Sequence, residues 1–213
     1  MSRRIPAPGE QEAFTEVTLR ASEVSEWYHV FCTEIFAIGP GDFNEGWGNS
    51  RFAPIVMEDR SPLHSYYAAS TPACAYMESV LHDVPLAPPG HFDLDRLEHF
   101  HLARLRLTCD LRCVSFHTPY LPRLHISRAQ LIDSLPVNYP ATRAWAQAAY
   151  LQRPHAVDIL YGSRRDDSGR CLMLFRQRMA DPPFEIVDVE SLAWGPRRRE
   201  VVELMVSLGI RLV

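Results

Sequence analysis

Nine histidines and five cysteines are the obvious candidates for metal chemistry in this 213-residue chain. Cys109, Cys113 and His117 stand four residues apart, with His99 and His101 close by. A structural zinc site takes four such ligands, commonly built on a pair of cysteines with two residues between them, and no such pair supplies the fourth here. No metal is therefore expected; the cysteines read as buried free thiols and the histidines as packing residues. Gly46-Trp47-Gly48-Asn49-Ser50-Arg51 begins like a dinucleotide-binding loop, but Arg51 stands where the third glycine belongs and no clear strand leads into it. There is also no P-loop, no H-E-x-x-H and no G-x-S-x-G nucleophile elbow.

Three other segments carry polar groups in an order that chemistry can use. They are GNSRFAPI around Arg51, YYAASTPACAYMESVLHDV with Tyr67 and Glu78, and YGSRRDDSGRCLMLF with Ser163. Taken singly, Glu78 is a surface helix glutamate, Tyr67 a core tyrosine and Ser163 a turn serine. Together and in this order the segments resemble the RES domain, the toxin half of RES–Xre toxin–antitoxin pairs, from about Trp27 to Phe175. In that family an arginine precedes an aromatic residue and a proline, and a strand tyrosine is followed by a helix glutamate and a later serine. Arg51, Tyr67, Glu78 and Ser163 stand at those places. Where many members carry a further arginine, this chain has His29, within Trp27-Tyr28-His29-Val30.

The resemblance implies a fold like that of ADP-ribosyltransferases and cleavage of the nicotinamide–ribose bond of NAD. NAD enters as substrate, by glycohydrolysis, phosphorolysis or transfer of ADP-ribose to a protein. Nicotinamide leaves as a neutral molecule, so no strong general acid is needed. A carboxylate such as Glu78 can stabilise the oxocarbenium-like transition state, as in glycosidases. Arg51 offers a planar fork of donors for the pyrophosphate or a phosphate nucleophile. Tyr67 would supply a flat face for nicotinamide or a hydroxyl for the ribose, Ser163 a hydroxyl for the ribose or amide, and His29 a hydrogen bond to phosphate. The implied partner is an Xre-type antitoxin, which would carry any DNA binding, and a homodimer stays open. A non-catalytic nucleotide- or partner-binding module on the same fold is the alternative.

These residues need elements to hold them. Ser65–Ala69 reads as a strand, and a helix should follow with Thr71 as N-cap, Pro72 in its first position and an apolar stripe from Ala73 to Leu81. Glu78 lies off that stripe, facing either a cleft or water. A strand is expected over 98–108, a short helix from Ser127 to Leu135, and a helix over about 140–151. Val157–Tyr161 and Cys171–Phe175 flank a turn-rich segment and read as a β-hairpin. A strand over Phe184–Val189 leads to a C-terminal helix with Val201, Leu204, Met205 and Leu208 on one face, better suited to covering its own core than to a partner. Irregularly mixed strands and helices predict an α+β fold. Without repeats or a composition shift, one domain over 1–213 is expected, with a core at about 27–176 and a C-terminal strand and helix at 184–213. A net charge of −4 speaks against direct nucleic-acid binding. The absence of a long apolar run speaks against a membrane span, and an N-terminus with no apolar segment behind its arginines suggests a cytoplasmic protein.

Overall fold

The structure, a computed structural model, describes residues 4–34 and 38–213; parts 1–3 and 35–37 of the expected domain lie outside the described residues. Eight strands form one curled sheet: β1 (Glu16–Leu19), β2 (Trp27–Cys32), β3 (Ser65–Ala69), β4 (Phe100–Leu107), β5 (Leu111–Ser115), β6 (Asp158–Gly162), β7 (Arg170–Phe175) and β8 (Phe184–Ser191). Their spatial order is β1-β5-β6-β7-β3-β2-β4-β8. Only β5 and β6 run parallel; the other neighbours are antiparallel. Four helices flank the sheet: α1 (Pro72–Met77), α2 (Arg128–Leu131), α3 (Tyr139–Gln152) and α4 (Gly195–Ser207). The architecture is α+β, with an apolar core on each face of the sheet.

Composition explains the middle of the sheet. The run Cys171–Phe175 is apolar without alternation and wholly buried, as befits a strand covered on both faces. It pairs with β6 in the expected hairpin, Arg170 opposite Gly162 and Leu174 opposite Asp158. On the far side β7 pairs with all of β3, so Tyr67 lies opposite Met173.

The next junction is different. β2 pairs with β4 along its whole length, from Trp27 opposite Leu105 to Cys32 opposite Phe100. Against β3 it makes a single pair, Tyr28 with Ala69. The sheet is thus two half-sheets joined by one rung. Beside that rung the His29 ring donates from Nδ1 to the Tyr67 carbonyl at 2.6 Å, where a regular ladder would place a backbone N–H.

Two helices are shorter than their apolar spacing predicts. In α1, Thr71 caps as expected, accepting from the Cys74 N–H at 3.1 Å, but the helix stops at Met77 instead of Leu81. The Ser79 hydroxyl turns back to the Ala75 carbonyl at 2.5 Å, and the backbone goes on in tight turns, with the Leu81 N–H reaching the Tyr76 carbonyl at 2.9 Å. Val80 and Leu81 remain buried, so their spacing reflected the core rather than continuing helix. In α2, Ser127 and Gln130 form a capping box, yet the helix ends at Leu131 rather than Leu135. Leu135 precedes Pro136, and the clash with the proline ring favours the extended conformation seen there.

The longer predictions hold closely. The strand expected over 98–108 is β4, the helix over 140–151 is α3, and the C-terminal helix is α4 with Val201 and Met205 buried. No expected element corresponds to β1, with the sheet edge it forms, or to β2. None of the helices is long and apolar enough to cross a membrane, among the described residues.

Candidate active site

The open junction between β2 and β3 holds a cavity of about 310 Å³, and His29, Arg51, Tyr67 and Glu78 all border it. Four of the five residues singled out from the sequence therefore meet at one place, from four separate chain segments. Ser163, the fifth, does not reach the cavity wall.

Glu78 is the C-cap residue of α1, and its side chain is 14% exposed. Its Oε1 accepts from the Ser163 hydroxyl at 2.5 Å and from the Arg164 N–H at 2.9 Å. Ser163 is fully buried, and its Oγ in turn accepts from the N–H groups of Arg165 and Asp166 at 3.0 and 2.9 Å. The turn between β6 and β7 thus grips one carboxylate oxygen of Glu78 from beneath. The other, Oε2, lies 3.8 Å from Arg51 Nη1. The Ser163 hydroxyl, expected to meet a ligand, donates to Glu78 in this structure.

Arg51 is only 4% exposed, and its Nε and Nη2 have no hydrogen-bond partner among the described residues. A buried guanidinium with donors unspent is costly unless something anionic completes it. Its Cζ lies 5.9 Å from the centre of the Tyr139 ring, a cation–π contact that compensates in part. Helix α3 fixes the segment that bears it. The Thr142 hydroxyl donates to the Arg51 carbonyl, and Arg143 donates to the Ser50 carbonyl at 3.1 Å and to the Asn49 side chain.

The Tyr67 hydroxyl pairs with Ser50 Oγ at 2.9 Å. Ser50 spends its own proton on the Ala53 carbonyl, so Tyr67 is the donor. Burial pushes the Tyr67 phenol well above its ordinary pKa, and it stays protonated. His29 departs from expectation. Burial lowers its pKa to about 4, so the ring is neutral near pH 7. With Nδ1–H given to the Tyr67 carbonyl, Nε2 is an acceptor, buried and without a partner among the described residues. It offers a phosphate neither charge nor proton.

Sequence reasoning missed several neighbours. His82 borders the cavity, its Nδ1 held by Asp83 at 2.7 Å and its Nε2 3.2 Å from the Tyr139 hydroxyl. Its spacing of four residues from Glu78 was the available signal. Ser50 was adjacent to Arg51 and overlooked, whereas Thr142 and Arg143 lie about ninety residues away and gave no local sign. The set-aside metal candidates are scattered: Cys113 is buried, Cys109 exposed, and no group of three possible metal ligands gathers among the described residues.

A carboxylate with one oxygen fixed, a guanidinium with spare donors and an aromatic ring around one cavity can bind an anionic ligand and stabilise positive charge forming on it. Comparison with curated proteins finds no match. Comparison with family models matches the RES domain over residues 33–195, most of the chain and all of the site except His29. The chain belongs to the RES-domain family.

Proposed function

We propose that the protein consumes NAD, breaking the bond between nicotinamide and ribose, and acts as the toxin of a toxin–antitoxin pair. The observation that carries this reading is the Glu78 carboxylate, held at the cavity wall by the β6–β7 turn and faced by the underused guanidinium of Arg51. As the glycosidic bond breaks, its electron pair leaves with neutral nicotinamide and positive charge grows on the ribose. A fixed carboxylate needs no reorganisation to stabilise that charge, which is the most effective form of electrostatic catalysis. Arg51 supplies donors for the pyrophosphate, and Tyr67 supplies a ring for nicotinamide with its hydroxyl directed to Ser50. The acceptor of the ribosyl group is water, inorganic phosphate or a protein side chain. An Xre-type antitoxin is the partner we propose, on the strength of the family.

Purified protein incubated with NAD should release nicotinamide, and adding phosphate or a candidate protein acceptor should identify the second product. Glu78→Gln keeps the shape but not the charge, and should lower release by at least about 100-fold, the usual cost of losing such an electrostatic contact. Release at the wild-type rate from that variant removes Glu78 from the mechanism. A non-catalytic nucleotide-binding module is the competing reading, favoured by the neutral His29; binding of NAD with no release at all would select it.

A further inference from the structure

Two of the five cysteines meet. Cys74, in the first turn of α1, and Cys171, near the start of β7, are hydrogen-bond partners with their sulfurs 3.7 Å apart. They stand 97 residues apart in the chain, and both are buried. Cys171 borders the candidate active-site cavity and Cys74 does not, so the pair runs from the cavity wall into the core. Both also adjoin the groups that hold Glu78. The Cys74 carbonyl accepts from the Glu78 N–H at 3.0 Å, one helical turn on. Two residues before Cys171, the Gly169 carbonyl accepts from the Ser163 N–H at 3.0 Å, and the Ser163 hydroxyl grips the carboxylate. Gly169 packs against Cys74 with no room for a Cβ, so helix and turn have no slack between them.

We propose that Cys74 and Cys171 form a reversible disulfide when a peroxide enters the cavity, and that this bond switches the site off by displacing Glu78. The effect on turnover rests on the proposed function; the bond itself does not. With hydrogen peroxide the chemistry balances in two steps. The Cys171 sulfur attacks one oxygen, the O–O bond breaks, and the other oxygen leaves as water with the thiol proton, giving a sulfenic acid. The Cys74 sulfur then attacks the Cys171 sulfur, the S–O bond breaks, and the Cys74 proton leaves with that oxygen as a second water. Two thiols are oxidised and one peroxide is reduced. The adjoining Cys74 thiol and burial push the Cys171 thiol up, so the pair is protonated at rest and its first step is slow. The second is fast, because the resolving sulfur is already in contact. Closing the pair brings the sulfurs from 3.7 Å to about 2.05 Å. With Gly169 already against Cys74, the first turn of α1 must move relative to β7. Glu78, one turn on, is then drawn off the Ser163 hydroxyl and the Arg164 N–H.

The full chain, reduced and then treated with hydrogen peroxide, tests this by peptide mapping without reductant and by nicotinamide release. A peptide pair joined through Cys74 and Cys171 and lighter by two hydrogens is expected. Release should fall about 10- to 100-fold in kcat, as for a catalytic group displaced by an ångström, and recover with dithiothreitol. Cys74→Ala should keep release within about twofold with and without peroxide, since a buried cysteine packs as a small apolar residue. Cys171→Ala, like Cys74→Ala, should give no joined pair, so the mapping stands on whichever variant folds. Free Cys74 and Cys171 thiols in protein whose exposed Cys109 has been oxidised overturn the proposal. So does a mapped bond with undiminished release, a loss that dithiothreitol does not reverse, or an equal loss in Cys74→Ala. Reduced protein that releases no nicotinamide overturns the proposed function instead, and the mapped bond alone then decides the modification site.

Discussion

Ser163 has no contact with solvent, yet its one hydroxyl links two backbone N–H groups to the Glu78 carboxylate. Ser163→Ala breaks that link, leaving both N–H groups without this acceptor and Oε1 with the Arg164 N–H alone. The expected outcome is a fall in nicotinamide-releasing kcat of about 10- to 100-fold with little change in KM, together with a loss of about 1–2 kcal/mol of stability in denaturant melts. A rise in KM at constant kcat would instead return Ser163 to a ligand-binding role. His82 belongs to the same scale. Tyr139→Phe removes the hydroxyl at its Nε2 while keeping the ring beside Arg51, so a loss of about 0.5–1.5 kcal/mol in denaturant melts, the usual worth of one hydrogen bond, is the expected signature. The identities of Arg51 and Glu78 were legible because their order along the chain carried them. That Ser163 serves Glu78 was not, since the two are 85 residues apart and only the hairpin turn brings them together.

Between elements, the fit is close where the β6–β7 turn meets the start of α1. A Cβ added to Gly169 would fall 2.3 Å from Cys74 Sγ and 2.7 Å from its Cβ, closer than any real contact. Gly169→Ala must therefore push the turn and α1 apart, which is overpacking of a kind that costs about 1–3 kcal/mol. Because that turn grips Glu78, thermal stability and nicotinamide release should fall together. A stable, fully active variant would show that the turn does not position Glu78. Elements with a strong local pattern could be read directly: the β6–β7 hairpin from two apolar runs around a turn, α3 from its spaced alanines and Trp145. The early ends of α1 and α2 could not, because Val80 and Leu81 keep helical spacing while the chain is already turning. The open junction was illegible too, since β3 reads as an ordinary strand and nothing in its residues shows that β2 pairs with it at one position.

Over the whole molecule, two buried ionisable groups pull stability in opposite directions with pH. Burial lowers His29 from 6.5 to about 4, so the unfolded chain binds its proton more readily; this contribution is intact above pH 6.5 and is lost as pH falls toward 4. Asp158 is fully buried, and burial raises it from 3.8 to about 7 against the opposing pull of the neighbouring Cys113 thiol. The folded chain then binds its proton more readily, and that contribution is lost as pH rises through 7. Denaturant melts between pH 4 and 7.5 should separate them. Relative to wild type, His29→Gln should tilt the profile toward acid and Asp158→Asn toward neutral pH; profiles parallel to wild type would contradict both assignments. The one-rung junction has a mechanical consequence at this scale. Each half-sheet is held along its own ladders, but across Tyr28 and Ala69 a single rung, the His29 hydrogen bond and side-chain packing such as that of the His29 and Tyr66 rings join the halves. With fewer ladder hydrogen bonds there, the junction beside the cavity is expected to open more readily than the β6–β7 ladder. Slow breathing about that junction would show as faster amide hydrogen exchange in β2 and β3 than in β7, and a ligand spanning both halves would act as the missing rungs.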